Sequence, residues 1–176
     1  MRLALLIVSI LLVLPGLAVA DHLSLVVNGK SIHVDSDYDW NEANTGLGLE
    51  YEFRRRGPWV VKAVASQFED SNHNDSVMTG VGLSRRLVGA HRGSKFYLDA
   101  GLVAFAMSRE SRGGRKVLPG ILPALSFGTR NVGLNVTYIP EIAARKMSRA
   151  HELDPGMGGI VFLQARISLD LVRPRR

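Results

Sequence analysis

The chain has 176 residues, a net charge of +6, 7% aromatic residues and no cysteine. This length is enough for one domain, and the lack of cysteine excludes disulfides and thiolate metal sites. The basic residues cluster in predicted turns and at the C-terminus rather than on one helical face. No nucleic-acid-binding motif accompanies them, so we expect no nucleic acid partner.

The N-terminus has the layout of a secretory signal peptide. A basic start precedes an apolar run over residues 3–14, and the small residues Ala18-Val19-Ala20 follow. The apolar run is too short to span a bilayer as a mature helix, which makes an uncleaved anchor the less favoured interpretation. We therefore expect a signal peptide at 1–20 and a single exported domain at 21–176.

Beyond that point apolar residues recur with a period of two, which is typical of β-strands with one apolar face. The clearest runs are Leu47, Leu49, Tyr51 and Phe53; Val77, Thr79, Val81 and Leu83; Val132, Leu134, Val136 and Tyr138; and Val161, Leu163, Ala165, Ile167 and Leu169. With weaker segments, eight strands are predicted at 29–35, 44–54, 59–69, 76–87, 95–108, 117–128, 131–140 and 159–171. Because Asn28-Gly29 is a turn signal, residues 23–35 could instead form a small hairpin.

The connections alternate between long polar loops and short turns. The long ones are 36–43, 70–75, 109–116 and 141–158, and the short ones are 55–58, 88–94 and Thr129-Arg130. This asymmetry, with an even strand count and an export signal, favours an eight-stranded antiparallel transmembrane β-barrel in the outer membrane. A soluble secreted barrel is the alternative, but the second strand face, rich in Gly, Asn, Thr, Gln, Arg and Glu, suits a polar lumen better than a soluble core.

The candidate catalytic residues are His33, Asp70 and Ser71. Strand parity places the end of the first strand, near His33, and the end of the third, at Phe68, on the same rim. Asp70-Ser71 by itself could equally be a turn former, and His33 a solvated rim residue. No histidine–carboxylate spacing indicates a metal site, and we expect no metal and no cofactor.

The last strands carry the most specific motif. Leu118-Pro119-x-x-Leu122-Pro123-x-x-Ser126-x-Gly128, followed by Thr137-Tyr138-Ile139-Pro140, resembles the closing strands of the PagP family, the outer-membrane lipid A palmitoyltransferases. Three shorter pieces are similar to the family at its spacing: Asn41-Glu42 with Gly46-x-Gly48, Phe68-x-Asp70-Ser71, and Gly80-x-Gly82. The sequence departs from the family in leaving no room before His33 for the amphipathic helix with which members begin.

The resemblance implies a monomeric, membrane-embedded enzyme that moves a palmitoyl chain from a glycerophospholipid to lipid A. It assigns the family's catalytic histidine, aspartate and serine to His33, Asp70 and Ser71. It assigns the floor of the acyl pocket to Gly82, although Gly80 and Gly82 could instead serve close packing. Pro123 and Pro140 would weaken the strand ladder so that lipids enter sideways, since proline lacks the N–H that a ladder needs.

Two other functions remain open from the sequence. One is a non-catalytic small barrel with a structural or resistance role, and the other is a lipid A deacylase or phospholipase that uses water as the acceptor. In the transferase, the loop cations Arg109, Arg112, Arg115 and Lys116 could hold lipid A phosphates, although solvated charge is the simpler interpretation.

Overall fold

The structure is a computed structural model, and it describes residues 20–53, 57–89, 94–111, 114–147 and 156–169. The predicted signal peptide, apart from Ala20, lies outside these residues. Eight strands and one short helix follow in chain order. They are β1 (Ala20–Val34), β2 (Ala43–Phe53), β3 (Trp59–Glu69), β4 (Asp75–Val88), β5 (Phe96–Ser111), β6 (Gly114–Thr129), β7 (Val132–Pro140), α1 (Glu141–Met147) and β8 (Gly159–Ser168).

Each strand pairs antiparallel with its neighbour along the chain, and β1 pairs with β8 to close a barrel. The predicted eight-stranded antiparallel barrel is confirmed. We call the end where β1 begins the near end, and the opposite end, where β1 meets residues 35–42, the far end. The far end also carries residues 70–74 and α1, so residues distant in sequence meet at one rim.

The two faces of the wall follow the alternation in the sequence. Side chains at the predicted apolar positions point outward, and many of the large ones are exposed, such as Leu47, Val81, Leu83 and Val132. Aromatic residues lie on the outside at both ends: Trp59, Phe96 and Phe127 are exposed at the near end, and Tyr138 is exposed at the far end. An apolar belt with an aromatic border is the exterior expected of a barrel surrounded by lipid.

Strand β1 is longer than predicted. It runs without a break from Ala20 to Val34, so a strand start at residue 29 and the alternative hairpin at 23–35 are both wrong. Asn28-Gly29 forms a β-bulge, because the register shifts between Asn28 and Lys30 in the ladders to both neighbouring strands. A β-bulge accommodates one extra residue in a strand, and it bends the strand without ending it.

Two far-end connections also differ from the prediction. The expected loop at 109–116 is mostly strand, since β5 and β6 stay paired up to Ser111 and Gly114. The expected loop at 141–158 contains α1, which follows Pro140 and carries an ion pair between Glu141 and Arg145 (2.6 Å). One side of α1 rests on the rim, where Ala144 is buried beside Trp40 and Met157. In the described part of the chain, no helix is long and apolar enough to cross a membrane.

The lumen is not uniformly polar, as the inward-facing residue types had suggested. Its far half holds an apolar cluster of Phe68, Phe105, Met107 and Leu122, with Met78, Val103 and Phe162 against it. Its near half holds buried charges, three cations (Lys62, Arg86, Arg166) and three anions (Glu50, Glu52, Asp99) among the described residues.

Candidate active site

The turn between β3 and β4 is built around the carboxylate of Asp70. Its Oδ1 accepts hydrogen bonds from the backbone N–H groups of Asn72 (2.8 Å) and Asn74 (3.1 Å). This is the local bonding by which Asp residues form tight turns. His73 lies in the left-handed region (φ 59°), which lets the chain reverse. The bonds hold Ser71 at the rim in one orientation.

The second oxygen of Asp70 bonds across the lumen face. The Ser76 hydroxyl donates to Oδ2 (3.2 Å), and the Arg109 Nε–H donates to the same atom (2.5 Å). These bonds use both oxygens of the buried carboxylate. Arg109, which lies in β5, therefore forms an ion pair with Asp70. Of the other predicted loop cations, Arg112 and the side chain of Arg115 lie outside the described residues.

Ser71 is brought against the first strand. Its Oγ lies 3.4 Å from the Oγ of Ser31, a buried residue on the inward face of β1. Asn41, before β2, fixes the same turn, since its N–H donates to the Ser71 carbonyl (3.2 Å) and its side chain to the Asp70 carbonyl (3.1 Å). The β1–β2 and β3–β4 connections therefore form one bonded rim.

His33 follows Ser31 on the same inward face, about 7 Å further along the strand. Its side chain is only 2% exposed, and its ring stacks on Trp40 with centroids 5.1 Å apart. Its Nδ1 lies 3.7 Å from Oε1 of Glu42, and its backbone N–H donates to that same oxygen (3.2 Å). The imidazole is thus held between an indole and a carboxylate.

Glu42 stays ionised more readily than an ordinary glutamate. Burial acts to raise its pKa, but the N–H of His33 and the ammonium of Lys30, 3.3 Å away, together outweigh that effect and leave the pKa lowered. A persistent negative charge beside the ring favours any positive charge that develops on His33.

A cavity connects this rim to the lumen. His33, Trp40, Asp70 and Ser71 line its mouth, and the apolar cluster of the far half lines its walls. The lining continues into the near half of the lumen, where it includes Glu50, Lys62, Ser126 and Asn135. Gly82 lies six residues along β4 from Ser76, about 20 Å of strand. With the usual strand tilt, that is a depth of roughly 15 Å.

The two glycines of β4 differ in their surroundings. A Cβ at Gly80 would lie 2.8 Å from the Ala104 carbonyl oxygen and 3.1 Å from Cβ of Phe105, so close packing requires glycine there. A Cβ at Gly82 would meet nothing nearer than 3.8 Å. Packing therefore explains Gly80, whereas Gly82, which lines the cavity, leaves its space open.

The barrel wall has an incomplete seam between β6 and β7. Their ladder runs from the pair Gly128–Gly133 to the pair Ala124–Thr137 and ends there. Pro123, exposed on the outer face, is the next residue of β6, and β6 continues to Gly114 paired only with β5. Pro140 ends β7 paired with Gly159 of β8. The unpaired stretch lies in the far half, beside the cavity.

His73, the other histidine near this rim in the described part of the chain, does not line the cavity. His73 shares the turn with Ser71, but its side chain is 73% exposed and bonds to Glu69 (2.6 Å). His91 lies outside the described residues. Over the ranges that the structure describes, no group of three or more His, Asp or Glu side chains could hold a metal ion.

Residues 26–166 match the model of a protein family described as "Antimicrobial peptide resistance and lipid A acylation protein PagP". The chain belongs to the PagP family. Membership places this barrel in a family of antimicrobial peptide resistance and lipid A acylation proteins. A search among curated proteins gives no significant match.

Among solved structures, the PagP-family chain is similar to two small barrels. Neisserial surface protein A has a TM-score of 0.38 and 12% identity, covering 84% of this chain and 95% of that one. Ail, the attachment invasion locus protein of Yersinia pestis, has a TM-score of 0.40 and 15% identity, covering 84% and 97%.

The sequence reasoning gave no site role to Ser31, Trp40 and Glu42, although Glu42 belongs to a motif that carries the family resemblance. Ser31 could have been found, because it lies two residues before His33 and so shares its face of the strand. The contacts of Trp40 and Glu42 depend on how residues 35–42 fold back over the rim. The alternating pattern of the strands does not predict the conformation of such a loop.

Proposed function

We propose that this protein is an acyltransferase that moves a palmitoyl chain from a glycerophospholipid to lipid A in the outer leaflet of the outer membrane. One observation carries the proposal: a buried histidine and a serine-bearing turn stand at the mouth of a deep cavity with apolar walls. The depth of the cavity is of the same order as an extended palmitoyl chain. Family membership supplies the acceptor, lipid A.

His33 acts as the general base. It removes the proton from a lipid A hydroxyl as that oxygen attacks the carbonyl carbon of the phospholipid ester. The new ester bond forms, the original carbon–oxygen bond of the donor breaks, and the proton passes from His33 to the departing lysophospholipid. Ser71 hydrogen-bonds the oxyanion that develops on the carbonyl oxygen.

Glu42 and Asp70 have different supporting roles in this mechanism. Glu42 faces the imidazole and stabilises the imidazolium that forms when the base takes its proton. Asp70 acts as a positioning residue, because its bonds hold the turn that presents Ser71. Arg109 neutralises Asp70, which keeps a second negative charge from opposing the oxyanion.

The donor lipid enters from the side. An acyl chain in the outer leaflet has to cross the wall, and the stretch of β6 above Pro123 offers no ladder bonds to β7 that must break. The seam therefore supports lateral entry near Pro123 and Pro140 without exposing the chain to water.

The proposal is tested with His33→Ala and Ser71→Ala. Each variant should lower acyl transfer about a hundredfold or more, because general-base and oxyanion groups typically contribute that much. The purified protein is mixed with lipid A and a dipalmitoyl phospholipid, and the mass of lipid A is measured. Matched controls are His73→Ala and Ser36→Ala, which alter a histidine and a serine of the same rim outside the cavity lining.

The masses also separate the competing functions. A gain of one palmitoyl group supports the transferase, and a loss of an acyl group from lipid A indicates a deacylase. Free fatty acid released from the donor with unchanged lipid A indicates a phospholipase. Full activity of a folded His33→Ala variant would overturn the assignment of the base.

A further inference from the structure

The proposed base, His33, is stacked on a buried aromatic side chain of the loop that follows its strand. The Trp40 indole is 7% exposed, and its plane lies within 15° of the imidazole plane at a centroid distance of 5.1 Å. Trp40 also lines the mouth of the cavity. The contact exists because residues 35–42 fold back over the end of β1, which brings the two rings together.

Three other residues hold Trp40 in place. Ala144 of α1 and Met157, each 1% exposed, form one buried cluster with Trp40. The Tyr38 ring is tilted against the indole, with the ring centroids 4.6 Å apart. The indole therefore has packing partners on α1, in its own loop and in the segment before β8. It cannot leave the imidazole without breaking these contacts.

Packing alone does not account for a tryptophan at this position. The indole N–H of Trp40 is buried, and it has no hydrogen-bond partner among the described residues. A buried tryptophan N–H usually finds a partner, because leaving it without one costs free energy. A phenylalanine would offer an aromatic packing surface without that cost. The particular property of the indole is its face, which attracts a cation more strongly than the face of tyrosine or phenylalanine.

We propose that Trp40 is a positioning residue for His33, and that its indole stabilises the imidazolium that forms when the base takes up its proton. This inference rests on the role of His33 in the proposed function. The ring contact gains a cation–π component only when the imidazole becomes charged, so it favours the transition state over the bound substrate. Glu42, on another side of the imidazole, is 36% exposed and partly screened, whereas the indole is buried.

The test compares Trp40→Leu with Trp40→Phe in the full chain. Trp40→Leu removes the aromatic face, and we expect kcat for acyl transfer to fall about tenfold while KM for the donor phospholipid stays unchanged. Trp40→Phe keeps a flat ring without the N–H and should retain kcat within about threefold. The matched control is Trp59→Leu. It alters the chain's other tryptophan, which is exposed at the near end, and should leave both constants unchanged.

Three results would overturn the proposal. An unchanged kcat in a folded Trp40→Leu variant would show that the indole does not act on the base. An equal loss in Trp40→Phe and Trp40→Leu would assign the effect to the indole N–H instead of the aromatic face. A raised KM with an unchanged kcat would make Trp40 a lipid-binding residue. Should Trp40→Leu not fold, Trp40→Met takes its place, because the flexible methionine side chain fills irregular space.

A second readout requires no catalysis. A protonated imidazole in contact with an indole quenches the indole fluorescence, whereas a neutral imidazole does not. In a Trp59→Phe background, Trp40 is the chain's single tryptophan. Its emission should fall as the pH is lowered from about 8 to about 5.5, the range in which histidines ordinarily titrate. His33→Gln should abolish this change.

Other titratable groups are separated from His33 by type and by a control variant. His73→Ala should leave the change in emission as it is, since that side chain is 73% exposed and bonded to Glu69. Carboxylates, lysine, arginine and tyrosine ordinarily titrate outside about pH 5.5–8. The remaining titratable groups around His33 are of these types, among them Lys30, Tyr38, Glu42, Asp70, Arg109 and Arg145.

The fluorescence also separates this inference from the proposed function. If the unchanged protein transfers no acyl group, the proposed function fails, and quenching that depends on His33 still supports the contact between Trp40 and the imidazolium. Emission that stays constant over the pH range would overturn the proposal. A change in emission that survives His33→Gln would overturn it as well.

Discussion

The far and near halves of the lumen are built from the same alternating strands and are filled in opposite ways. In the far half, apolar side chains and the open position at Gly82 leave a cavity below the rim. In the near half, six charged side chains pair with one another across the interior. Arg86 and Arg166 also lie 4.9 and 5.1 Å from the Tyr97 ring centre. The far half therefore has room for a ligand, whereas the ion pairs of the near half link strands across the lumen.

This difference shows how a small barrel can contain a cavity and remain stable. A lumen that is open along its whole length would lose packing contacts everywhere. Here the bonded half ties distant strands to one another, while the open half keeps its chemistry at the rim. Substitutions of near-half charges that do not line the cavity should therefore affect stability, and substitutions in the far half should affect chain length or activity.

The largest stability effect is expected from Asp99→Ala in the near half. Asp99 is completely buried and bonded twice by Arg86 (2.6 and 2.9 Å), so its removal leaves a buried cation with only Glu52 nearby at 3.7 Å. We expect the free energy of unfolding, measured by urea titration in micelles, to fall by about 3–5 kcal/mol.

The matched control for Asp99→Ala is Glu141→Ala, which breaks the exposed ion pair with Arg145. It should cost at most about 0.5 kcal/mol. Similar losses in the two variants would mean that burial of the near-half charges contributes nothing to stability.

An intermediate effect separates the two glycines of β4. Gly80→Met should lower the free energy of unfolding by about 1–3 kcal/mol, because its side chain would displace Phe105 and the wall beside it. Gly82→Met should cost less than about 1 kcal/mol, since its side chain enters the cavity. It should shorten the longest chain transferred, which is measured by the mass of lipid A after reaction with phosphatidylcholines of increasing chain length.

Equal destabilisation by the two glycine substitutions would contradict the distinction between a packed and an open position. A Gly82→Met variant with an unchanged chain-length limit would show that the acyl chain does not pass this residue.

The smallest effect concerns Glu42 at the rim. Because its pKa is lowered on folding, its ionised form stabilises the protein above the usual glutamate pKa of about 4.3 and this contribution is lost as pH falls through the lowered value. The side chain is 36% exposed, so screening limits the contribution to a few tenths of a kcal/mol. Glu42→Gln should remove it.

The measurement is the free energy of unfolding of both proteins from about pH 6 to about pH 3. The difference between them should be present at the upper end and should vanish at the lower end. A difference that is constant over this range would show that the charge of Glu42 has no part in the stability of the rim.

The sequence determined the wall of the barrel. Successive side chains of a strand point to opposite faces, so the period of two at Leu47–Phe53 or Val161–Ile167 specified both the strands and their outward residues. An antiparallel chain returns to the same end every second strand, which placed His33 and Asp70-Ser71 at one rim before any contact was known. The turn-forming role of Asp70 was also visible, because its bonds reach only its own next residues.

The tertiary structure alone decided the features that depend on contacts between strands or across the lumen. Asn28-Gly29 forms a bulge, neither the start of a strand nor the turn of the alternative hairpin, because β2 and β8 pair with β1 on both sides of it. The partners of His33 and Asp70 came from residues 35–42 and from β5, and the Asn135 amide donates to Glu50 across 85 positions of the sequence. No local pattern encodes such distances, since they are fixed by the closure of the barrel and the stagger of its strands.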